Sequence, residues 1–474
     1  MRTVYPAAVL ACLALSGCAN LRDPDVKLPT VYEAPQPGGL SVLALDRWWT
    51  NFEDPQLTGL IEQALSASPD ALAAAARLKE ARALAGSAMT RFLPQGDLAG
   101  STRETHTDQL SGAVVNIPGF SNSGTSNSAA VNFNVSWELD LFGRIFAVGR
   151  AARGDKAAAR FAYEGARASL AANVADAYFQ ARGLAIQLED ARETVRIQSG
   201  LQEIAAKKIS RGLAAASDGD RVAADLAQAR SQATSLEAEL QAARRVLLVL
   251  IGRGAQPIES LPIVAAVGAA PAVPTTVPSD LLARRPDVRE AQARVASAAG
   301  RSDLAMLAFF PTFTLLPGRG WSRSEQPNFG STSQNWSIGV SGTQPILSIP
   351  RLLMDLKAQG ARAEQAVIAY EKSVQTAFGE AENALLRLDS DRRRTDLLLE
   401  GESRGRRAFD AARRRYAMGL DDLQSTLLAE QAWRATRTQL TSEQVQTLRR
   451  AVQAYKALGG GWPAQTVSDR PRPG

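Results

Sequence analysis

The chain has 474 residues, of which 45% are hydrophobic and 22% are charged, and its formal net charge at pH 7 is +6. Two cysteines and one histidine leave almost no material for thiol or imidazole catalysis, for a disulfide framework or for the usual zinc sites. The small basic excess is spread along helical segments, which is typical of solvated helix faces rather than of a nucleic-acid-binding surface. We therefore expect no enzyme, metal centre, cofactor or nucleic-acid partner.

The N-terminus has the features of a secretory signal peptide. Arg2 supplies a positive charge, an apolar stretch follows, and the stretch ends in Leu15-Ser16-Gly17-Cys18. This ending resembles the lipobox of bacterial lipoproteins, in which the cysteine is acylated and becomes the first mature residue. The resemblance implies a signal peptide over 1–17 and covalent diacylglycerol and N-acyl groups on Cys18. Because Ala19 is not acidic, it also implies sorting to the outer membrane.

Apolar residues recur at alternating spacings of three and four along three long stretches, which run from Leu170 to Val195, from Val222 to Leu250 and from Val367 to Leu388. This spacing is typical of the buried seam of a coiled coil. Many of the seam residues are alanine, which allows helix backbones to approach closely. The pattern indicates the architecture clearly and the function only weakly, because any coiled coil shows it.

The helical stretches predict two long antiparallel hairpins. One helix runs from about Ile145 to Arg211, a length of roughly 100 Å, and the chain returns after a turn that begins at Gly212. The same plan recurs from about Arg351 to Met418, with a turn that begins at Gly419. The chain therefore contains two copies of one unit.

We predict the following organisation for the mature chain. An N-terminal lipid-anchored segment covers 18–54 and is followed by repeat 1 over 55–250, which consists of a helix, two strands and a helical hairpin. A linker rich in Ala, Pro and Val covers 251–278. Repeat 2, with the same elements, covers 279–461, and a tail covers 462–474.

One strand in each repeat alternates clearly between apolar and polar residues. Val131, Phe133 and Val135 share one face, with asparagines between them, and the strand around Trp336 follows the same pattern. Strands with one apolar and one polar face are typical of outer-membrane β-barrels. A half-buried strand of a soluble sheet shows the same alternation, so both interpretations stay open at this point.

The two partner strands are less clearly marked. The stretch from Gln95 to Ser101 is weakly apolar, and the alternation of Phe313 and Leu315 ends at Pro317, which predicts a break in that strand. His106 follows the first of these stretches in a polar segment, where we expect a solvated loop side chain.

The predicted fold class is therefore an α+β membrane protein with long antiparallel coiled-coil hairpins and four β-strands per chain. Four strands cannot close a barrel, since bacterial outer-membrane barrels have about eight strands or more and open edges are not tolerated in lipid. A dimer would supply eight strands and a trimer twelve. This arithmetic alone does not choose between them.

Several separate motifs, in a fixed order, cover nearly the whole mature chain. They are Trp48–Leu57, Ser136–Arg144, Leu281–Val288, Phe309–Pro311 and Leu458–Trp462. In these segments the chain resembles the TolC/OprM-type outer-membrane efflux lipoproteins, including the NodT branch. The resemblance implies a homotrimer whose strands form a twelve-stranded barrel in the outer membrane, continued by a twelve-helix tunnel through the periplasm.

The resemblance also implies function and partners. It predicts the outer-membrane channel of a tripartite efflux system, a passive exit duct for small molecules delivered by an inner-membrane pump, usually of the RND kind, through a periplasmic adaptor. The alternative is a lipid-anchored periplasmic coiled-coil adaptor or an envelope structural protein. Adaptors normally add lipoyl-like and soluble barrel domains, whereas this chain shows only two strand pairs between long helices. The sequence does not indicate the cargo.

The resemblance further places a gate at the two hairpin turns, which Gly212 and Gly419 mark. In the family, a tyrosine three residues before the second glycine and an aspartate six residues after the first help to latch the closed tip. These positions are Tyr416 and Asp218 in this chain. Asp218 has a simpler alternative role, since an aspartate here is also suited to cap the returning helix.

The acidic rings of TolC have no direct match, because the corresponding positions are Ser425 and Leu428. The nearby acids are Asp421 and Asp422, which threefold symmetry would arrange as rings of like charge that attract cations at a constriction. The alternative is that they pair with the arginines of Arg413–Arg415 or cap a helix.

Overall fold

The computed structural model describes residues 22–35, 45–108, 110, 124–274, 276–326 and 329–462. Cys18, the predicted signal peptide over 1–17 and nearly all of the predicted tail lie outside the described residues. The helices and strands, in chain order, are α1 (Pro55–Ala67), α2 (Pro69–Thr90), β1 (Gln95–Thr107), β2 (Gly124–Leu139), α3 (Arg144–Ser210), α4 (Ala216–Leu250), α5 (Asp280–Arg284), α6 (Pro286–Leu307), β3 (Thr312–Gln326), β4 (Phe329–Thr343), α7 (Ile349–Ala417) and α8 (Leu423–Ala457).

The described residues divide into two compact units. The first contains the described residues of 22–24, 79–158 and 292–369, and the second contains those of 25–78, 159–291 and 370–462. All four strands belong to the first unit, and the turns of both helical hairpins belong to the second.

The strands of the first unit form one antiparallel sheet in the order β1-β2-β3-β4. The register places Val131 opposite Trp321 and Trp137 opposite Leu315, so the apolar side chains of neighbouring strands share one face. None of the described residues covers that face fully, and Trp336 is 78% exposed. The prediction of four strands per chain is confirmed.

Strand β3 continues through Pro317 to Gln326, so the prediction of a break at the proline is wrong. Pro317 lies opposite Ile338 of β4 and that ladder is continuous. The ladder between β2 and β3, in contrast, is interrupted between Leu315 and Gly318. Proline has no N–H to donate, and the strand accommodates it because pairing on the other side persists.

The polar ends of the first hairpin also extend farther than the sequence predicts. Strand β1 reaches Thr107 rather than Ser101, and β2 begins at Gly124. His106 therefore lies in a strand, opposite Thr125, with its Nδ1 3.0 Å from the Thr125 hydroxyl, and the expectation of a loop is wrong. Backbone pairing across the hairpin outweighs the low β-propensity of this polar run.

The segment from Ser136 to Arg144 connects the sheet to the first long helix. The Asp140 carboxylate accepts hydrogen bonds from the backbone N–H groups of Arg144 and Ile145, each at 2.8 Å, and so satisfies free donors at the start of α3. Gly143 has a φ of +82°, which favours glycine. The residues of this motif are therefore explained by the change of direction from strand to helix.

The predicted long helices are confirmed. Helix α3 has 67 residues and α7 has 69, and each is followed by a return helix of 35 residues. The two repeats correspond regularly. Gly419 lies 207 positions after Gly212, Gly459 lies 207 positions after Gly252, and all four glycines have positive φ. Among the described residues, no helix is both long and apolar enough to span a membrane.

The single helix predicted at the start of repeat 1 is instead two helices, α1 and α2, which are divided at Ser68. Pro69 begins the second of them, because a proline has no N–H to continue the helical ladder but is well suited to the first turn. The second repeat is divided in the same way at Pro286, between α5 and α6.

The motif Trp48–Leu57 forms an aromatic and polar core within the second unit. Trp48 is 1% exposed, and its ring stacks on that of Tyr455 with the centroids 5.8 Å apart. Asp54 caps α1, and its second oxygen accepts a hydrogen bond of 2.8 Å from the Tyr178 hydroxyl. The motif thus joins an N-terminal segment to α3 and α8.

Candidate gate at the hairpin turns

The two hairpin turns have the same backbone geometry. Gly212 has a φ of +69° and Gly419 a φ of +77°, and in each turn the N–H of the next leucine donates to the carbonyl five residues earlier at 2.9 Å. This is the Schellman ending of a helix, which requires a left-handed residue that glycine adopts at the lowest cost. The glycines therefore set where each long helix stops.

The two hairpins contact each other near their turns through a buried apolar cluster. Leu201 and Val222 of the first hairpin contact Tyr416, Leu423 and Leu427 of the second. Tyr416 is 4% exposed. The structure thus brings one predicted gate residue, Tyr416, into the contact between the hairpins.

Lys208 joins the two turns and was not predicted. Its ammonium lies 3.7 Å from the centroid of the Tyr416 ring and donates a hydrogen bond of 3.2 Å to the Tyr416 carbonyl. Cations near the last turn of a helix interact favourably with its free carbonyls, and a cation over an aromatic face adds about 0.5–2 kcal/mol. The signal available in the sequence is the pair Lys207-Lys208 just before Gly212.

Asp218 lies in the first turn of α4, where an acid is favourable to the helix dipole. The N-cap of that helix is Ala215, so Asp218 does not occupy the capping position. Burial raises the pKa of Tyr416, and the nearby Asp218 carboxylate raises it further. Within the part of the chain that the structure describes, no hydrogen bond joins the Tyr416 hydroxyl to Asp218. The latch between them stays a prediction.

Asp421 and Asp422 have local partners within one chain. Asp422 caps α8 and accepts a hydrogen bond of 2.7 Å from the Ser425 N–H, which lowers the pKa of the Asp422 carboxyl. Asp421 accepts from the Asp422 N–H at 3.1 Å, and its other oxygen lies 3.6 Å from Nε of Arg415. The capping and pairing roles are therefore present in the single chain. An acidic ring, which needs other chains, stays a prediction.

A buried acid lies farther along the hairpins. Glu430 of α8 is fully buried, accepts a hydrogen bond of 2.9 Å from Gln198 of α3 and lies 3.4 Å from Nε of Arg434. Burial raises its pKa, the neighbouring Asp225 adds to this, and Arg434 and Gln198 act against it. Glu430 is not among the site residues predicted from the sequence. The signal was its spacing of three from Leu427, which places a charge at a seam position.

We expect Glu430→Gln to stabilise the protein at neutral pH. The folded-state pKa of Glu430 is raised. The contribution of Glu430 to stability is therefore most favourable in acid, where this carboxyl is protonated in both the folded and the unfolded state. That contribution is lost as the pH rises from the ordinary carboxyl range through the raised pKa, because only the unfolded state ionises freely. A neutral amide removes this loss and still bonds Gln198. Thermal unfolding should show a midpoint higher by a few degrees at pH 7 and little changed at pH 4.

The matched control is Glu239→Gln, which removes an exposed acid from α4, the return helix of the other hairpin. It should leave the unfolding midpoint unchanged at both pH values, because surface substitutions have small effects. If Glu430→Gln lowers the midpoint at pH 7, the ion pair with Arg434 outweighs the burial cost and the assigned direction is wrong.

Comparison with known proteins gives a consistent result. A model of the family described as "Outer membrane efflux protein" matches residues 60–253 and 277–460. The pyoverdine export outer membrane protein OpmQ of Pseudomonas putida is 31% identical, over 96% of this chain and 97% of the relative. The cation efflux system protein CusC of Escherichia coli is 27% identical, over 95% of this chain and 97% of the relative.

Solved structures agree with these matches. The outer-membrane channel OprN superposes with a TM-score of 0.80 and 27% sequence identity, covering 94% of this chain and 100% of that one. The predicted family, fold, efflux function and outer-membrane location are confirmed by these comparisons. The chain belongs to the outer membrane efflux protein family.

Proposed function

We propose that three copies of this chain form a passive exit channel through the outer membrane. The observation that carries the proposal is the sheet. Among the described residues, β1 and β4 each have one neighbour and one open edge, and the apolar face of the sheet is uncovered. Open edges are not stable in lipid, and pairing β4 of one copy with β1 of the next closes a barrel whose apolar face contacts lipid.

The long helices support the same assembly. Leu386, Leu397 and Leu399 of α7 are large apolar side chains that are exposed in a single chain. Exposed apolar side chains of this kind mark contact surfaces. Neighbouring copies arranged about the barrel axis would cover them and extend the barrel as a helical tunnel through the periplasm.

The channel acts by providing a path and has no chemical step of its own. We propose a non-enzymatic duct that works with a periplasmic adaptor and an inner-membrane pump, of the RND kind, which supply the energy and select the cargo. The named relatives export pyoverdine and cations. The cargo of this chain follows from its own pump.

Acylation of Cys18 is part of the proposal. The described segment that follows it, 22–35, contacts α7, since the N–H groups of Glu33 and Ala34 donate to Glu382 at 2.6 and 3.0 Å. The lipid would therefore be tied to the channel wall. Because a barrel anchors the protein by itself and acyl chains add a modest anchor, Cys18→Ser with a cleavable leader should still give functional trimers. Complete loss of outer-membrane trimer would show that the lipid is essential.

The channel proposal is tested by electrical recording of the purified, detergent-extracted full-length protein in planar bilayers. We expect discrete conductance steps. Adding the adaptor should make these steps more frequent, because the adaptor is proposed to open the closed hairpin tips. A correctly inserted protein that conducts no ions with or without adaptor would contradict the proposal and favour an envelope structural role.

A further inference from the structure

Arg319 places a charge within the apolar face of the sheet. Arg319 of β3 lies opposite Phe133 of β2 on one side and opposite Trp336 of β4 on the other. Residues that are directly opposite in a ladder share a face. The exposed Arg319 side chain is therefore on the face that the proposed barrel presents to lipid.

The height of Arg319 follows from the strand. Phe313 and Arg323 are on this same face, ten residues apart in β3. That separation is about 33 Å along a strand and about 25 Å along the membrane normal at a tilt of roughly 40°, which is the height of the apolar band of such barrels. Arg323 thus marks its loop-side edge. Arg319 lies about 10 Å inside that edge, within reach of the head groups for a snorkelling side chain.

A cleft of about 250 Å³ lies on this face beside Arg319. Four of its lining side chains are apolar, namely Leu98, Val131, Phe133 and Trp321, and Gln334 lies in it with the arginine. Gly100 lies opposite Val131, where the lack of a side chain leaves space. The cleft therefore combines a hydrophobic wall with one cation and one amide.

The two arginines on this part of the face differ in their partners. Arg323 donates to Glu325 through Nε at 2.8 Å and is neutralised by it. Arg319 forms no ion pair with any residue that the structure describes. A cation on a lipid-facing surface costs free energy unless it pairs with an anion or reaches the polar head-group region.

We propose that the cleft around Arg319 binds a phosphorylated glycolipid of the outer leaflet, of the lipid A type. The inference rests on the proposed barrel, which turns this face to lipid. The Arg319 guanidinium would pair with a phosphate, which suits its forked donors, and Gln334 would hydrogen-bond the sugar. An acyl chain would lie against Leu98, Val131 and Phe133.

The test is native mass spectrometry of the detergent-extracted full-length protein, titrated with purified lipid A and with the same lipid after its phosphates have been removed. We expect Arg319→Gln to weaken lipid A binding about tenfold or more, as loss of a charge-assisted contact does. Arg319→Lys, which keeps the charge but not the forked donors, should lose less affinity than Arg319→Gln. Dephosphorylated lipid should bind the unaltered protein as weakly as lipid A binds Arg319→Gln.

Arg103 provides the matched control, because it is an exposed arginine of the same sheet. Thr102 lies opposite Ala129 and so shares the apolar face, and Arg103, the next residue, is on the opposite face. Arg103→Gln should bind lipid A normally. Equal binding by Arg319→Gln and the unaltered protein, equal losses in both glutamine variants, or equal binding of dephosphorylated lipid would each overturn the inference. Bilayer conductance separates the two proposals: a conducting protein without lipid A binding refutes only this one, and a non-conducting protein refutes the channel.

Discussion

Cells that express Lys208→Gln should become permeable to large antibiotics that the outer membrane normally excludes. The substitution removes the ammonium from the face of Tyr416 and from its carbonyl, a loss of about 1–2 kcal/mol in each subunit. Because the three subunits of the proposed channel share one tip, these losses accumulate and favour the open arrangement. The measurement is the minimal inhibitory concentration of a large antibiotic, which should fall several-fold.

Lys207 supplies the control for that experiment. It is adjacent to Lys208 in the last turn of α3 and is exposed, so Lys207→Gln changes the same charge without touching Tyr416. Tyr416→Phe and Asp218→Asn test the predicted latch separately, and each should give a smaller increase in permeability. If Lys207→Gln and Lys208→Gln have equal effects, bulk charge explains the result and the contact with Tyr416 does not hold the tip.

The double substitution of Asp421 and Asp422 by asparagine should reduce the preference of the channel for cations. Three chains would place six carboxylates at the tip, and their removal lowers the attraction for cations at the constriction. Asparagine is chosen because it caps a helix nearly as well as aspartate, so the start of α8 is preserved. Reversal potentials under a salt gradient in planar bilayers give the selectivity, which should fall several-fold.

Asp422→Ala distinguishes the charge from the cap. It removes both the carboxylate and the acceptor of the Ser425 N–H, and loss of such a cap destabilises the start of a helix. Its thermal midpoint should therefore be lower than that of the Asp422→Asn variant at equal charge. If the double asparagine variant keeps the original cation selectivity, the acids act only as the cap and the Arg415 partner seen in one chain.

The large elements could be predicted because their signals are local. The spacing of the apolar seam and the turn glycines locate α3, α4, α7 and α8, since coiled-coil periodicity and the Schellman ending are both properties of short sequence windows. The alternation around Val131 and Trp336 locates β2 and β4 for the same reason.

The errors arise where partners distant in the sequence decide the outcome. Pro317 does not end β3, because β4 pairs with it on the other side. His106 belongs to a strand because Thr125 lies opposite it. In the candidate gate, the contact of Lys208 with Tyr416 joins residues 208 positions apart, and the bond of Gln198 to Glu430 joins residues 232 positions apart. No window of the sequence contains both partners of these pairs.

The most direct test of the central claim is the number of chains in the complex extracted from the outer membrane. In the described part of one chain, four strands leave two open edges and an uncovered apolar face, so the channel requires copies that complete the barrel. Native mass spectrometry of the gently extracted, full-length protein should give a complex of three chains. A single chain or a dimer as the stable membrane-extracted species would contradict the account.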